Sequence, residues 1–134
     1  MQTRQNEAGF TLIGMLIAVG IVAILAMIAV PKFTSAIASA NTAKIQSDLS
    51  TLDTAIALYE IDNGKAPEEI ADLKEYLQDA DVKPPTGKFY ANGSVTEPKD
   101  PTKATAYDIE NGRAVFDGKT VSAFGKTAKT ESGS

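Results

Sequence analysis

The sequence predicts an α+β protein: one long N-terminal helix packed against a small antiparallel sheet. Three observations predict it. Phe10 to Val30 is an uninterrupted apolar run of 21 residues without a single charge. Beyond it, Ile45, Leu49, Leu52, Ile56 and Tyr59 recur at spacings of 4, 3, 4 and 3, which is one apolar stripe on a helix. The last third holds short β-prone runs separated by Asn111-Gly112 and Asp117-Gly118, dipeptides that favour two-residue hairpin turns. With 134 residues, the chain has room for one domain.

The apolar run comes first. As a helix it spans about 30 Å, the thickness of a hydrocarbon core, whereas a cleavable secretory core is only about 7–15 residues long. It is therefore read as a transmembrane helix. Arg4 precedes it and Lys32 follows, so the count of flanking basic residues leaves its orientation open. Pro31 removes one backbone donor and crowds the turn before it, so it should kink the helix rather than end it. The apolar stripe then carries the helix on, giving one element from about Phe10 to Ile61. Its opposite face is expected to hold Lys44, Gln46, Asp48, Ser50, Asp53, Thr54 and Glu60. Asn63 or Gly64 is suited to a left-handed cap. Two heptads are too few for a coiled coil, so the stripe is expected to pack a globular head.

The head should begin near Lys65. Pro67-Glu68-Glu69 is expected to open a short helix with Ile70, Leu73 and Leu77 on its inner face. Four strand candidates follow: Lys88–Tyr90, Ala106–Ile109, Ala114–Phe116 and Thr120–Phe124. The last three should form an antiparallel meander on the long helix, with Ser94 to Thr105 as a connecting loop. Gly125 to Ser134 is polar and is expected to be disordered.

Composition excludes much chemistry. There is no Cys, His or Trp. Disulfides, thiolate nucleophiles, zinc–thiolate sites and any triad needing His are impossible on this chain alone. The acid pairs Glu68-Glu69 and Asp79/Asp81 sit in charged, solvated sequence and make poor catalytic dyads. No catalytic residue is assigned, and no enzyme is expected. Net charge is −4, with ten acids and two lysines in residues 48–81. Residues 82–134 carry eight basic and six acidic residues. A solvated acidic helix beside a mildly basic sheet explains this split, and subunit-to-subunit packing of unlike patches is the sharper alternative. The lysines are scattered and no aromatic pair is placed for base stacking, so no nucleic acid is predicted as a direct partner.

The junction at Gly9 carries the most specific signal. Glu7-Ala8-Gly9-Phe10-Thr11-Leu12-Ile13, the apolar run and Pro31-Lys32-Phe33 occur in one order and spacing. This pattern resembles the class III signal of type IV prepilins and type II secretion pseudopilins. The resemblance is strong over residues 6–33 and looser through Gly64. It implies a leader peptide at 1–9, kept cytoplasmic, and cleavage between Gly9 and Phe10 by a prepilin peptidase. Phe10 would then be N-methylated. The implied layout continues with an assembly helix at 10–31, an amphipathic continuation at 32–62, a head at 63–125 and a tail at 126–134. It also implies an inner- or plasma-membrane precursor, partner pilin or pseudopilin subunits, and an assembly platform protein with an ATPase. The product would be a surface, periplasmic or extracellular filament, with the apolar helices bundled at its centre.

One position departs from the pattern. The fifth residue after the cut is nearly always Glu in that family, where it pairs with a neighbour's terminal charge and fixes register; here it is Gly14. Family subunits lacking this Glu include a tip subunit, but tip subunits tend to be large and this chain is short. Some secretion-type relatives bind calcium in a head loop, and Asp100, Asp108, Glu110, Asn111 and Asp117 are oxygen ligands near turns. Turn chemistry explains them without a metal, and neither a metal nor another cofactor is assigned. Two other readings stand beside the filament subunit: a membrane-anchored binding module that never polymerises, and a soluble domain released after Ala40 at Ala38-Ser39-Ala40. Pilus, secretion and competence machines remain open alternatives.

Overall fold

The computed structural model describes residues 3–100 and 102–127. Helix α1 runs Thr3–Asn63 and contains Pro31 without a break. The chain divides into two compact units, Met1–Ser35 and Ala36–Ser134. In the first, α1 is a single helix whose residues from Gly9 to Ser35 are all exposed. In the second, the rest of α1 is the spine of the head.

The stripe does what its spacing implies. Ile45, Leu49 and Leu52 are fully buried, and Ala55 and Ile56 join them. Onto this row pack Phe89, Phe116, Phe124 and Tyr107, whose neighbouring ring centroids lie 5.5–6.2 Å apart. Offset and edge-on contacts of this kind add to simple area burial. Gly64, at φ 67, closes α1 by returning its N–H to the Glu60 carbonyl at 2.8 Å.

Beyond the helix the sheet differs from the expected three-stranded meander. There are two separate antiparallel hairpins: β1 (Phe89–Ala91) with β2 (Ser94–Thr96), and β3 (Asp108–Glu110) with β4 (Arg113–Val115). Asn111 and Gly112 turn the second hairpin, at φ 52 and 74. A two-residue turn forces Glu110 opposite Arg113, so β3 extends to Glu110 rather than stopping at Ile109. The first hairpin uses the same device at Asn92-Gly93, with φ 50 and 80. That turn makes Ser94–Thr96 a strand, although the sequence reading placed it in a loop.

Thr120–Phe124 is not a strand. Alternation would send Val121 and Phe124 to opposite faces. Instead Val121–Ala123 forms a 3₁₀ turn, α-type in hand but three residues per turn. Positions i and i+3 then share a face, and Val121 and Phe124 both reach the core. Phe124 bridges Ala91, while the Gly125 N–H reaches the Tyr90 carbonyl at 3.1 Å. Asp117-Gly118 does turn the chain, giving the isolated Phe116–Lys119 bridge and no fourth strand.

The short helix is also 3₁₀, Ile70–Tyr76, and begins three residues after Pro67. Ile70, Leu73 and Tyr76 are spaced by three and face the core together. Asp72 caps its start by accepting the N–H groups of Glu68 and Glu69 at 3.1 and 3.2 Å. Of the expected disordered tail, Gly125 is tied to β1 and the Lys126 ammonium lies 5.4 Å from the Tyr90 ring centre. Residues 128–134 of that expectation lie outside the described residues.

Candidate assembly interface

The N-terminal unit presents an apolar helix and little else. Phe10, Leu12, Ile13, Met15, Leu16 and Ile17 are more than half exposed, and so are the large apolar residues up to Phe33. A helix that is apolar all round is stable only when lipid or other protein surrounds it. By length and composition this one can cross a membrane. Gly9, Phe10 and Gly14 fall within its early turns, and Pro31 lies about 33 Å further along the axis. A Cβ added at Gly14 or Gly20 would meet nothing within 4 Å. Neither glycine is required by its backbone or by a neighbour. Pro31 deprives the Met27 carbonyl of its helical partner, and one turn on the Thr34 hydroxyl donates to the Val30 carbonyl at 3.2 Å.

In the head, the outer face of α1 is nearly uncharged. Ala36, Ala40, Ala43, Ser47, Ser50, Thr54, Leu58 and Ile61 are exposed along it. The sequence reading set Gln46, Asp48 and Asp53 on that outer face; the structure turns them toward the head instead. Each flanks the apolar stripe closely enough to reach a backbone or side-chain partner across the interface. Asp53 accepts the Ala114 N–H at 2.8 Å and the Arg113 guanidinium at 3.0 Å. Asp48 accepts both the Tyr107 hydroxyl and the Lys44 ammonium at 2.6 Å. Gln46 donates to the Phe124 carbonyl at 2.6 Å. Asn41 donates to the Thr86 and Lys88 carbonyls, and the buried Thr42 hydroxyl takes the Tyr90 N–H at 2.8 Å while donating to Ala38. Burial, then the Asp48 carboxylate, push the Tyr107 hydroxyl well above the usual tyrosine pKa. Among the described residues no buried side-chain polar atom lacks a partner. These residues fix the head to the helix, and only their place beside the stripe could have revealed them in sequence.

This pattern bears on the Ala38-Ser39-Ala40 site. It lies inside α1, with Ala38 fully buried and its carbonyl held by Thr42. Cutting after Ala40 would remove part of the spine. The calcium candidates Asp100, Asp108, Glu110 and Asp117 line one open depression of about 530 Å³, and Asn111 stands outside its lining. Two of them already hold partners. Asp117 pairs with Lys119 at 2.8 Å and accepts the Lys99 N–H, while Asp100 holds the Thr102 N–H and hydroxyl. Among the described residues no group of three or more His, Cys, Asp or Glu side chains is placed together to hold a metal ion.

Residues 4–30 match the prokaryotic N-terminal methylation motif, and residues 32–132 match the family described as type II secretion system (T2SS), protein G. The chain belongs to the type II secretion protein G family. It is a pilin-like subunit with an N-terminal methylation motif, in a family of structural proteins rather than enzymes whose members assemble with other pilin subunits into filaments. The type II secretion system core protein G of Klebsiella michiganensis is 30% identical over 100 residues, covering 73% of this chain and 70% of that protein. The one from Pectobacterium carotovorum is 29% identical over 111 residues, covering 82% and 70%. The competence protein ComGC of Halalkalibacterium halodurans is 32% identical over 85 residues, covering 62% and 81%. No solved structure matches.

Proposed function

We propose that the chain is a secretion-type pseudopilus subunit, made as a membrane precursor and cut between Gly9 and Phe10 by a prepilin peptidase. Phe10 then becomes the N-methylated terminus. A platform protein and an ATPase draw the subunit from lipid into a periplasmic or extracellular filament. Removing the helix from the membrane exposes no apolar surface to water, because neighbouring helices replace the acyl chains. The observation that carries this reading is the fully exposed apolar half of α1, directly followed by a head that matches protein G over residues 32–132. The head does its work without a cofactor, a reading supported by the existing partners of Asp100 and Asp117. Mass spectrometry of membrane and sheared fractions tests the pathway. A peptide beginning at Phe10 and heavier by one methyl group is expected. An intact Met1, or a terminus at Asn41, overturns it.

A further inference from the structure

We propose that Asn111-Gly112 is a site of spontaneous covalent modification, deamidation to aspartate and isoaspartate, and that the change releases the β3–β4 hairpin from α1. The chain holds three Asn-Gly pairs, Asn63-Gly64, Asn92-Gly93 and Asn111-Gly112. All three asparagines are exposed. Each glycine lacks the Cβ that would shield its nitrogen. In the reaction the Gly nitrogen gives its proton to hydroxide and bonds to the Asn side-chain carbonyl carbon. The bond from that carbon to the side-chain nitrogen breaks, and ammonia leaves. Water then opens the cyclic imide at either carbonyl. One opening gives Asp. The other gives isoaspartate, whose backbone runs through the side-chain carbons. No oxidant, reductant or cofactor enters.

The dipeptide ranks the three sites alike, and the fold separates them. To attack, the Gly nitrogen must leave its place. The Gly64 N–H is held by the Glu60 carbonyl at 2.8 Å, and the Asn63 amide donates to the Tyr59 carbonyl and the Tyr76 hydroxyl. The Asn92 and Gly93 N–H groups donate to the Ala123 and Gly125 carbonyls at 2.7 and 3.3 Å. Among the described residues neither the Asn111 side chain nor the Gly112 N–H has a hydrogen-bond partner. Opening the turn at Asn111 therefore breaks the fewest bonds. The same turn transmits the change. It sets Glu110 opposite Arg113, and Arg113 and Ala114 are the residues through which the hairpin holds Asp53. Isoaspartate inserts an extra backbone carbon there and spoils that register. Either product also adds a carboxylate next to Glu110, in a turn where a Cβ on Gly112 would lie 3.9 Å from a Glu60 oxygen. The neighbouring cation, Arg113, is already paired with Asp53.

The test ages the full chain in detergent micelles in mildly alkaline buffer, with a parallel sample in denaturant. Peptide mapping by mass spectrometry then follows each site and resolves Asp from isoaspartate. In the folded chain position 111 should convert at least about fivefold faster than 63 or 92, since each hydrogen bond that must first break slows the reaction by a factor of a few. In denaturant the three should convert at similar rates, because all are followed by Gly. The isoaspartate fraction should also melt below Asn111→Asp, which adds the charge without the extra carbon and tolerates the turn, as Asp117 does at φ 51. Conversion at 63 or 92 as fast as at 111 in the folded chain overturns the proposal. So does the same ranking in denaturant, which would assign the preference to flanking sequence. A folded position 111 that stays Asn while the denatured one converts overturns it too. Equal melting of the isoaspartate fraction and Asn111→Asp would refute release of the hairpin.

Discussion

Replacing Asp53 with Ala should loosen the β3–β4 hairpin from the helix that carries the head. Asp53 makes two different contacts. One is with the N–H of Ala114, a fully buried residue, at 2.8 Å. The other is with the Arg113 guanidinium at 3.0 Å, where the arginine side chain is 56% exposed. A hydrogen bond to a charged group contributes about 1.5–3 kcal/mol, and its loss strands the Ala114 donor away from water. The exposed ion pair adds at most about 1 kcal/mol, because water screens it. Asp53→Ala should therefore cost about 2–3 kcal/mol. For a head of this size each kcal/mol moves Tm by about 4–8 °C, so 2 kcal/mol lowers it by about 8–16 °C. The assay is thermal unfolding of the full chain in detergent micelles, followed by circular dichroism. Asp53→Asn keeps an acceptor oxygen and should lose less than half as much. Arg113→Ala should lose about 1 kcal/mol or less. If Arg113→Ala costs as much as Asp53→Ala, the ion pair holds the hairpin and the argument from the buried N–H is wrong.

Leu49→Ala, at the fully buried centre of the stripe, should cost about 2–5 kcal/mol, whereas Ile61→Ala on the exposed face should stay within about 0.5 kcal/mol; comparable losses in denaturant unfolding would refute the assigned faces. Gly112→Ala should cost about 1 kcal/mol through its φ of 74 alone, since the added Cβ would meet the Glu60 carboxylate at an ordinary 3.9 Å. No loss in the same melt would mean the turn is not held in that conformation. Tyr107 has a raised folded-state pKa, so its stabilising share is complete below the unfolded value of about 10 and declines as pH climbs past it, because the unfolded chain ionises first. Tyr107→Phe should flatten that alkaline decline, and an unchanged slope would sink the assignment. Calcium at saturation would raise stability by about 2.7 kcal/mol at a hundredfold excess over its Kd; adding calcium or a chelator should leave Tm where it is, and a rise with calcium would show that the Asp100–Asp117 depression rearranges around an ion.

Much of the fold was legible because helices are local. The apolar run, the five-residue stripe and the Gly64 cap each follow from spacing along one chain, and α1 ends where they put it, at Asn63, although it begins at Thr3 rather than near Phe10. The Asn111-Gly112 hairpin was legible for the same reason. The Asn92-Gly93 hairpin carried an equal signal, but the short polar Ser94–Thr96 strand hid it. Thr120–Phe124 misled because β propensity and 3₁₀ spacing conflict there, and contact with the core decided between them. Asp48 and Asp53 read as solvent-facing charge, since nothing local shows that Tyr107 and Ala114 lie opposite them.

By itself the sequence determined that a helix exists, that half of it must be covered by lipid or protein, and that Gly14 leaves the residues from Phe10 to Ser47 without an acid. Those are properties of composition and of neighbours within a few residues. The tertiary structure alone decided which polar side chains lock the head to α1 and how the strands pair. Those contacts join residues about 45–80 positions apart, such as Asn41 with Thr86 and Gln46 with Phe124. Closing such long loops is favourable only when the whole core forms together, so no local pattern can encode the outcome.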